Sequence, residues 1–121
     1  LLLSIPFTSC DDYFFALRSA AKAVSPLGPR AMLYFAAAVS DFYVASDKQA
    51  THKIQSAGGP LTLVLDQTPK LLGVLRKDWA PSAFCVSFKL ETNRKILLKK
   101  ARRAISKYGM DAVVANEVAR P

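Results

Sequence analysis

Short apolar runs alternate with amphipathic stretches along this chain, and the alternation predicts strands and helices following one another. Residues 1–7, Leu1-Leu2-Leu3-Ser4-Ile5-Pro6-Phe7, read as a strand. Ser9 is a fitting N-cap, with Asp11 and Asp12 in the first turn behind it. Phe14, Leu17, Ala21 and Val24 then recur at helical spacing until Pro26-Leu27-Gly28-Pro29 stops the helix. Residues 31–39 are apolar on both faces, as a strand buried between two layers must be, and end on the polar step Ser40-Asp41.

From residue 42 to Ala57-Gly58-Gly59-Pro60 no period persists, so this stretch is expected to be a long excursion outside the sheet. Excursions of that length are often functional. Residues 61–65 read as a strand, and Thr68-Pro69 as the start of a helix through Leu71, Leu72 and Leu75 to Trp79, with proline at the first helical position. Residues 83–88 are a further buried strand. Thr92 or Asn93 caps a helix whose inner face is Leu97, Ala101, Ala104, Ile105 and Tyr108, and residues 111–116 form the last strand.

The fold class that follows is α/β: a Rossmann-like, mostly parallel sheet with helices on both faces, in one domain over residues 1–121. The layer is expected to be incomplete at both ends, because the chain opens without Met and closes on Arg120-Pro121 directly after a strand. In such sheets ligands sit beyond the carboxyl ends of the strands. Three of those ends deliver polar or aromatic groups: Ser40-Asp41, Phe88-Lys89-Leu90-Glu91-Thr92, and Asn116-Glu117.

Composition narrows the partners. Seventeen Lys and Arg against nine Asp and Glu give a net charge of +8, which favours anions without choosing among phosphates, nucleic acid and lipid. Much of the excess lies in residues 94–107, where the helical spacing makes it a solvated basic face. The sequence has no apolar run of the roughly 18 residues needed to cross a bilayer, so no membrane partner is expected. Cys10 and Cys85 lack metal or CxxC spacing and read as reduced thiols, which points to a cytoplasmic protein.

Common catalytic signatures are missing: no GxGxxG, no GxxxxGK[ST], no HExxH and no GxSxG. With one histidine, His52, and no helical HExxH, a histidine-based metal site is not expected. Ala36, Ala37 and Ala38 allow a ligand to approach the strand backbone near Asp41; equally, they allow close helix packing while Asp41 caps a turn, the better reading from composition alone. Lys53 is either a surface lysine or a mobile charge for phosphate. Phe88 reads as core or ligand platform, and Asn116 as turn residue or amide reader.

Order and spacing decide among these. Ala36-Ala37-Ala38-Val39-Ser40-Asp41-Phe42-Tyr43-Val44, His52-Lys53-Ile54-Gln55-Ser56, Pro69-Lys70-Leu71-Leu72, Trp79-Ala80-Pro81, Ser87-Phe88-Lys89-Leu90-Glu91-Thr92 and Val113-Val114-Ala115-Asn116 together closely resemble the phosphopantothenoylcysteine synthetases (phosphopantothenate–cysteine ligases). The resemblance covers nearly the whole chain and is closer to the eukaryotic branch, where the loop reads His-Lys-Ile-Gln-Ser rather than the lysine-richer bacterial form.

That resemblance implies an enzyme joining 4′-phosphopantothenate to L-cysteine through an acyl-adenylate, in coenzyme A biosynthesis. ATP would be the co-substrate, with CTP the bacterial choice, and Mg2+ would assist. It implies that Phe35, Ala36 and Ala37 line the nucleotide pocket and that Asp41 contacts the nucleotide directly or through a divalent cation. Lys53 would support the charge of the phosphates and the intermediate. Pro69 and Lys70 would open a helix with its N-terminus by the nucleotide, Phe88 and Asn116 would flank the pocket, and Arg102 falls where bacterial members place a lysine facing it. Asp41 and Lys53 are the expected catalytic pair, and a homodimer is expected.

Position 45 is Ala where the family has Pro. The family's glycine-rich opening strand, its Asn-Phe-Ser-Ser-Gly segment and its dimer-forming C-terminal part have no counterpart in these residues, so the 121 residues alone are not expected to suffice for activity. Two other classes fit the raw pattern: a basic α/β module binding nucleic acid through residues 94–107, and a Rossmann-type oxidoreductase, against which the absent glycine fingerprint counts.

Overall fold

The computed structural model describes residues 1–56 and 59–118; Ala57 and Gly58 of the expected excursion and the closing Arg120-Pro121 lie outside them. Two compact units are present, Leu1–Ala37 with Lys70–Pro121, and Ala38–Pro69.

In the first unit, α1 (Cys10–Val24) begins where the sequence places it. The Ser9 hydroxyl accepts from the Asp12 N–H at 3.1 Å while the Asp12 carboxylate accepts from the Ser9 N–H at 3.0 Å, a reciprocal cap that satisfies two otherwise orphaned donors. Hydrogen bonding to the Asp12 carboxylate, by the Ser9 side chain foremost and then by the Ser9 N–H and by Thr8, lowers its pKa. A 3-10 turn, Ser25–Arg30, carries the Pro-Gly-Pro stop, with Gly28 at positive φ.

Three parallel strands follow, β1 (Met32–Phe35), β4 (Phe84–Glu91) and β5 (Ala112–Glu117), in the order β1-β4-β5. Between β1 and β4 runs α2 (Leu71–Val74), which continues as a π-turn over Leu75–Trp79. Between β4 and β5 runs α3 (Arg94–Tyr108), capped by Asn93, whose side-chain oxygen accepts from the Lys95 and Ile96 N–H groups. Both crossovers step the same way across the sheet, and right-handed crossovers in one direction put their helices on one face.

Strand parity confirms the side. Leu33, Phe35, Cys85 and Val113 cluster with Leu17, Ala21 and Val24 of α1 and with Leu72, Leu75, Trp79 and Tyr108. Glu91, of the same parity as Cys85, is ion-paired to Lys100 of α3. The opposite face carries Met32, Tyr34, Phe84, Val86, Phe88, Leu90 and Val114. It is as apolar as a covered face, yet among the described residues no helix lies on it, and Met32 is 64% exposed. The layer is thus the expected α/β parallel sheet, but the helices expected on both faces cover only one of them among the described residues, because both crossovers step in the same direction.

Three expected boundaries are corrected. Residues 1–7 form no strand: they have no partner strand and are exposed, with only the Phe7 ring resting 5.1 Å from Tyr13. The strand expected over 31–39 pairs only from Met32 to Phe35, because its register with β4 ends at Phe35 opposite Ser87. The helix expected to start at Thr68-Pro69 starts at Leu71, with Lys70 as an N-cap that makes no side-chain capping bond; Thr68 is buried and donates its N–H to the Asp41 carbonyl at 3.0 Å.

The second unit is the predicted excursion. Among the described residues its pairing is confined to β2 (Phe42–Tyr43) and β3 (Asp66–Gln67), antiparallel, and is buttressed by a Lys48–Asp66 ion pair at 2.8 Å. Residues 61–65, expected as a strand, are not one. They find no partner, and Leu61, Leu63, Val64 and Leu65 are exposed. An apolar run makes a strand only when a neighbour accepts its backbone bonds.

Candidate functional site

Among the described residues of the first unit, Phe88, Asn116 and Phe35 to Ala37 lie toward the carboxyl ends of the three parallel strands. Phe88 and Asn116 lie near the ends of adjacent strands, Phe88 opposite Val114 and Asn116 opposite Leu90, so the two share the helix-free face. Phe88 is half-buried and Asn116 exposed. Phe35 ends β1 but has the other parity and packs against the helix-covered core. Ala36 and Ala37 follow it, exposed and outside the paired strand, with no side-chain bulk to block a ligand.

Arg102 stands apart from Phe88 and Asn116. It is exposed on α3, the helix that packs on the opposite face. Lys70 is exposed at the N-cap of α2. In the second unit Asp41 is exposed and held by the turn before it: the Ser40 hydroxyl donates to the Phe42 carbonyl at 2.7 Å and accepts from the Phe42 N–H at 3.3 Å. Lys53 is exposed, its carbonyl accepting from the Gln55 amide at 3.4 Å, and Pro69 is exposed at the unit's end.

Among the described residues no group of three or more His, Cys, Asp and Glu side chains could hold a metal ion by itself. A single carboxylate such as Asp41 fits Mg2+ only in the manner Mg2+ commonly adopts, with substrate phosphates and water completing its shell.

Sequence reading missed the polar brace beneath the strands. Arg76, on the π-turn, donates to the Ala83 carbonyl and, at 3.2 Å, to Asp111, whose second oxygen accepts from the Cys85 N–H at 2.8 Å. Burial pushes the Cys85 thiol pKa up, against the opposing pull of the Arg76 charge. No spacing in the sequence signals this brace, since Arg76 and Asp111 are brought together only by two crossovers.

A parallel sheet with helical crossovers and candidate ligand residues at its strand ends defines a Rossmann-like α/β protein. More narrowly, the chain belongs to the family of the DNA/pantothenate metabolism flavoprotein C-terminal domain, whose model matches residues 17–121. It is similar to phosphopantothenate–cysteine ligase 2 of Oryza sativa subsp. japonica, 58% identical over 119 residues, covering 98% of this chain and 37% of the relative. It is similar also to phosphopantothenate–cysteine ligase of Homo sapiens, 54% identical over 114 residues, covering 94% of this chain and 37% of the relative. Among solved structures, a Cab2 mutant in complex with phosphopantothenate-cysteine matches with a TM-score of 0.86 and 38% identity, over 94% of this chain and 38% of that one. The resemblance read in the sequence is therefore borne out, and the chain spans well under half the length of these relatives. The nucleic-acid and oxidoreductase readings gain no support. Three of the basic side chains in residues 94–107 are engaged locally: Lys100 with Glu91, Arg94 with Glu117, and Lys107 over the Tyr108 ring.

Proposed function

We propose that the protein carrying this chain is an ATP-dependent phosphopantothenate–cysteine ligase of coenzyme A biosynthesis, cytoplasmic and homodimeric. The observation that carries the reading is the likeness, over nearly all of this chain, to relatives named for that activity and to a Cab2 mutant bound to phosphopantothenate-cysteine. That no helix among the described residues is long and apolar enough to cross a membrane is compatible with it.

In the proposed reaction the carboxylate of 4′-phosphopantothenate attacks the α-phosphorus of ATP, forming an acyl-adenylate and releasing pyrophosphate. The amine of L-cysteine then attacks the acyl carbon, forms the amide and expels AMP. An anionic nucleophile must approach a polyanionic triphosphate, so positive charge has to screen the encounter. Lys53 supplies a mobile ammonium from the excursion. The N-terminus of α2, preceded by Pro69 and Lys70 and uncapped by a side chain, offers N–H groups to an anion. Mg2+, when bound, would be held by Asp41 together with triphosphate oxygens and would supply charge neutralisation. Phe88 and Asn116 flank the nucleotide, the first as an apolar wall and the second as a hydrogen-bonding amide. Phe35, Ala36 and Ala37 line the approach, and Arg102 adds long-range attraction.

The test is pyrophosphate release by the full-length protein. Release that requires ATP, 4′-phosphopantothenate and Mg2+, with product amide only when L-cysteine is added, is expected; release with CTP at least as fast would overturn the nucleotide assignment. No release with either nucleotide would overturn the ligase reading.

A further inference from the structure

The excursion is anchored at a point well inside its own length. Leaving β2 at Tyr43, the chain turns at once: the Lys48 N–H donates to the Ala45 carbonyl at 2.9 Å within the 3-10 turn Ser46–Lys48, and the Gln49 side-chain amide donates back to the Val44 carbonyl at 3.1 Å. That turn is then fastened to the returning chain. The Lys48 ammonium donates to both carboxylate oxygens of Asp66, at 2.9 and 2.8 Å, and Asp66 is itself held in the ladder opposite Tyr43. Beyond the fastening, Ala50 to Gln55 are all exposed, and their hydrogen bond is local, from the Gln55 amide to the Lys53 carbonyl.

An ion pair whose side chains are 40% and 39% exposed adds little to stability. What it changes is the tether of Lys53. Lys53 stands ten residues beyond Tyr43, where the β2 ladder ends, but only five beyond Lys48. The local concentration of a tethered group falls about as the −3/2 power of tether length, so halving the tether raises it about threefold for an anion within reach. Five residues confine that reach to about 17 Å of extended chain from Lys48. The same pair commits the Lys48 charge to Asp66, which leaves Lys53 as the lysine this limb offers to an anion.

We infer that Lys48 and Asp66 are positioning residues for Lys53: their ion pair anchors the limb that carries the Lys53 ammonium and so raises its encounter with the phosphates of the reacting nucleotide. The inference rests on the role proposed for Lys53 in the ligase reaction. Neither member of the pair touches substrate, so both act only through Lys53, and each is lost with equal effect because either substitution opens the same anchor.

The experiment measures pyrophosphate release by the full-length protein with ATP and 4′-phosphopantothenate, in variants K48Q, D66N, K53Q and their combinations. K48Q and D66N are each expected to lower kcat about threefold, with the melting temperature within about 4 °C of wild type. Exchanging the charges, K48D with D66K, rebuilds the anchor and recovers most of the loss. In a K53Q background neither K48Q nor D66N slows turnover further, since no ammonium is left to position; a purely structural role would slow both backgrounds alike. Normal turnover in D66N while K53Q is slow overturns the inference alone, as do losses that persist in full beside K53Q, or a charge exchange that recovers nothing. Slow K48Q with normal D66N also overturns it, by making Lys48 a direct contact. Near-normal turnover in K53Q instead removes the role of Lys53, and a wild-type protein that releases no pyrophosphate removes the ligase reading; the inference falls with either.

Discussion

Replacing Asp111 by alanine is the sharpest test of how the strands are held. Asp111 stands just before β5 and does with its side chain what a strand residue would do with its backbone. One carboxylate oxygen accepts from the Cys85 N–H at 2.8 Å, one residue before the β4–β5 register begins at Val86 opposite Ala112. The other accepts from Arg76 at 3.2 Å, and the Asp111 N–H donates back to the Cys85 carbonyl at 2.9 Å. Asp111→Ala leaves the Cys85 donor orphaned against a buried residue, a loss of about 1.5–3 kcal/mol for a charge-assisted bond. The Arg76 pair is about a quarter exposed on each side (25% and 28%), so screening limits its share to about 0.5–1 kcal/mol. The sum, about 2–4 kcal/mol, corresponds to a fall in melting temperature of roughly 4 °C per kcal/mol at this domain size. Asp111→Asn keeps an oxygen for the Cys85 N–H and loses the charge, so it is expected to cost about 1 kcal/mol. The assay is urea denaturation by circular dichroism, with amide hydrogen exchange read at Cys85. Asp111→Ala within about 0.5 kcal/mol of wild type, or Asp111→Asn as damaging as alanine, would refute the brace.

Further outcomes are open to measurement. Lys53→Gln in the full-length protein is expected to slow turnover by about a hundredfold or more. Its melting temperature should be unchanged, because the exposed Lys53 ammonium bonds to nothing among the described residues; near-normal turnover would remove its assigned role. Gly109→Ala is expected to cost about 1–2 kcal/mol, since Gly109 ends α3 in the left-handed region (φ 63°) and an added Cβ would stand 3.3 Å from the Arg76 Cγ; equal stability by denaturation would contradict that. A thiol reagent at neutral pH should label exposed Cys10 quickly and buried Cys85, its pKa raised, only on unfolding; equal rates would refute the packing of Cys85.

The sequence by itself determined much of this protein. Helical periods and their punctuation placed α1 between Ser9 and Pro26 and α3 after Asn93, because capping and helix-breaking are local effects that a few residues specify. The same local reading separated 42–60 as an excursion, and ordered motifs pointed to the family. Pairing was another matter. Residues 1–7 and 61–65 have strand composition and form no strand, for a strand exists only where a second segment completes its ladder. Tertiary structure alone decided that Phe88 and Asn116 share one sheet face while Phe35 and Arg102 belong to the other side, since a face depends on register and parity relative to a partner. It alone joined Arg76 to Asp111 across 35 positions of sequence, because electrostatic balance is a property of neighbours in space.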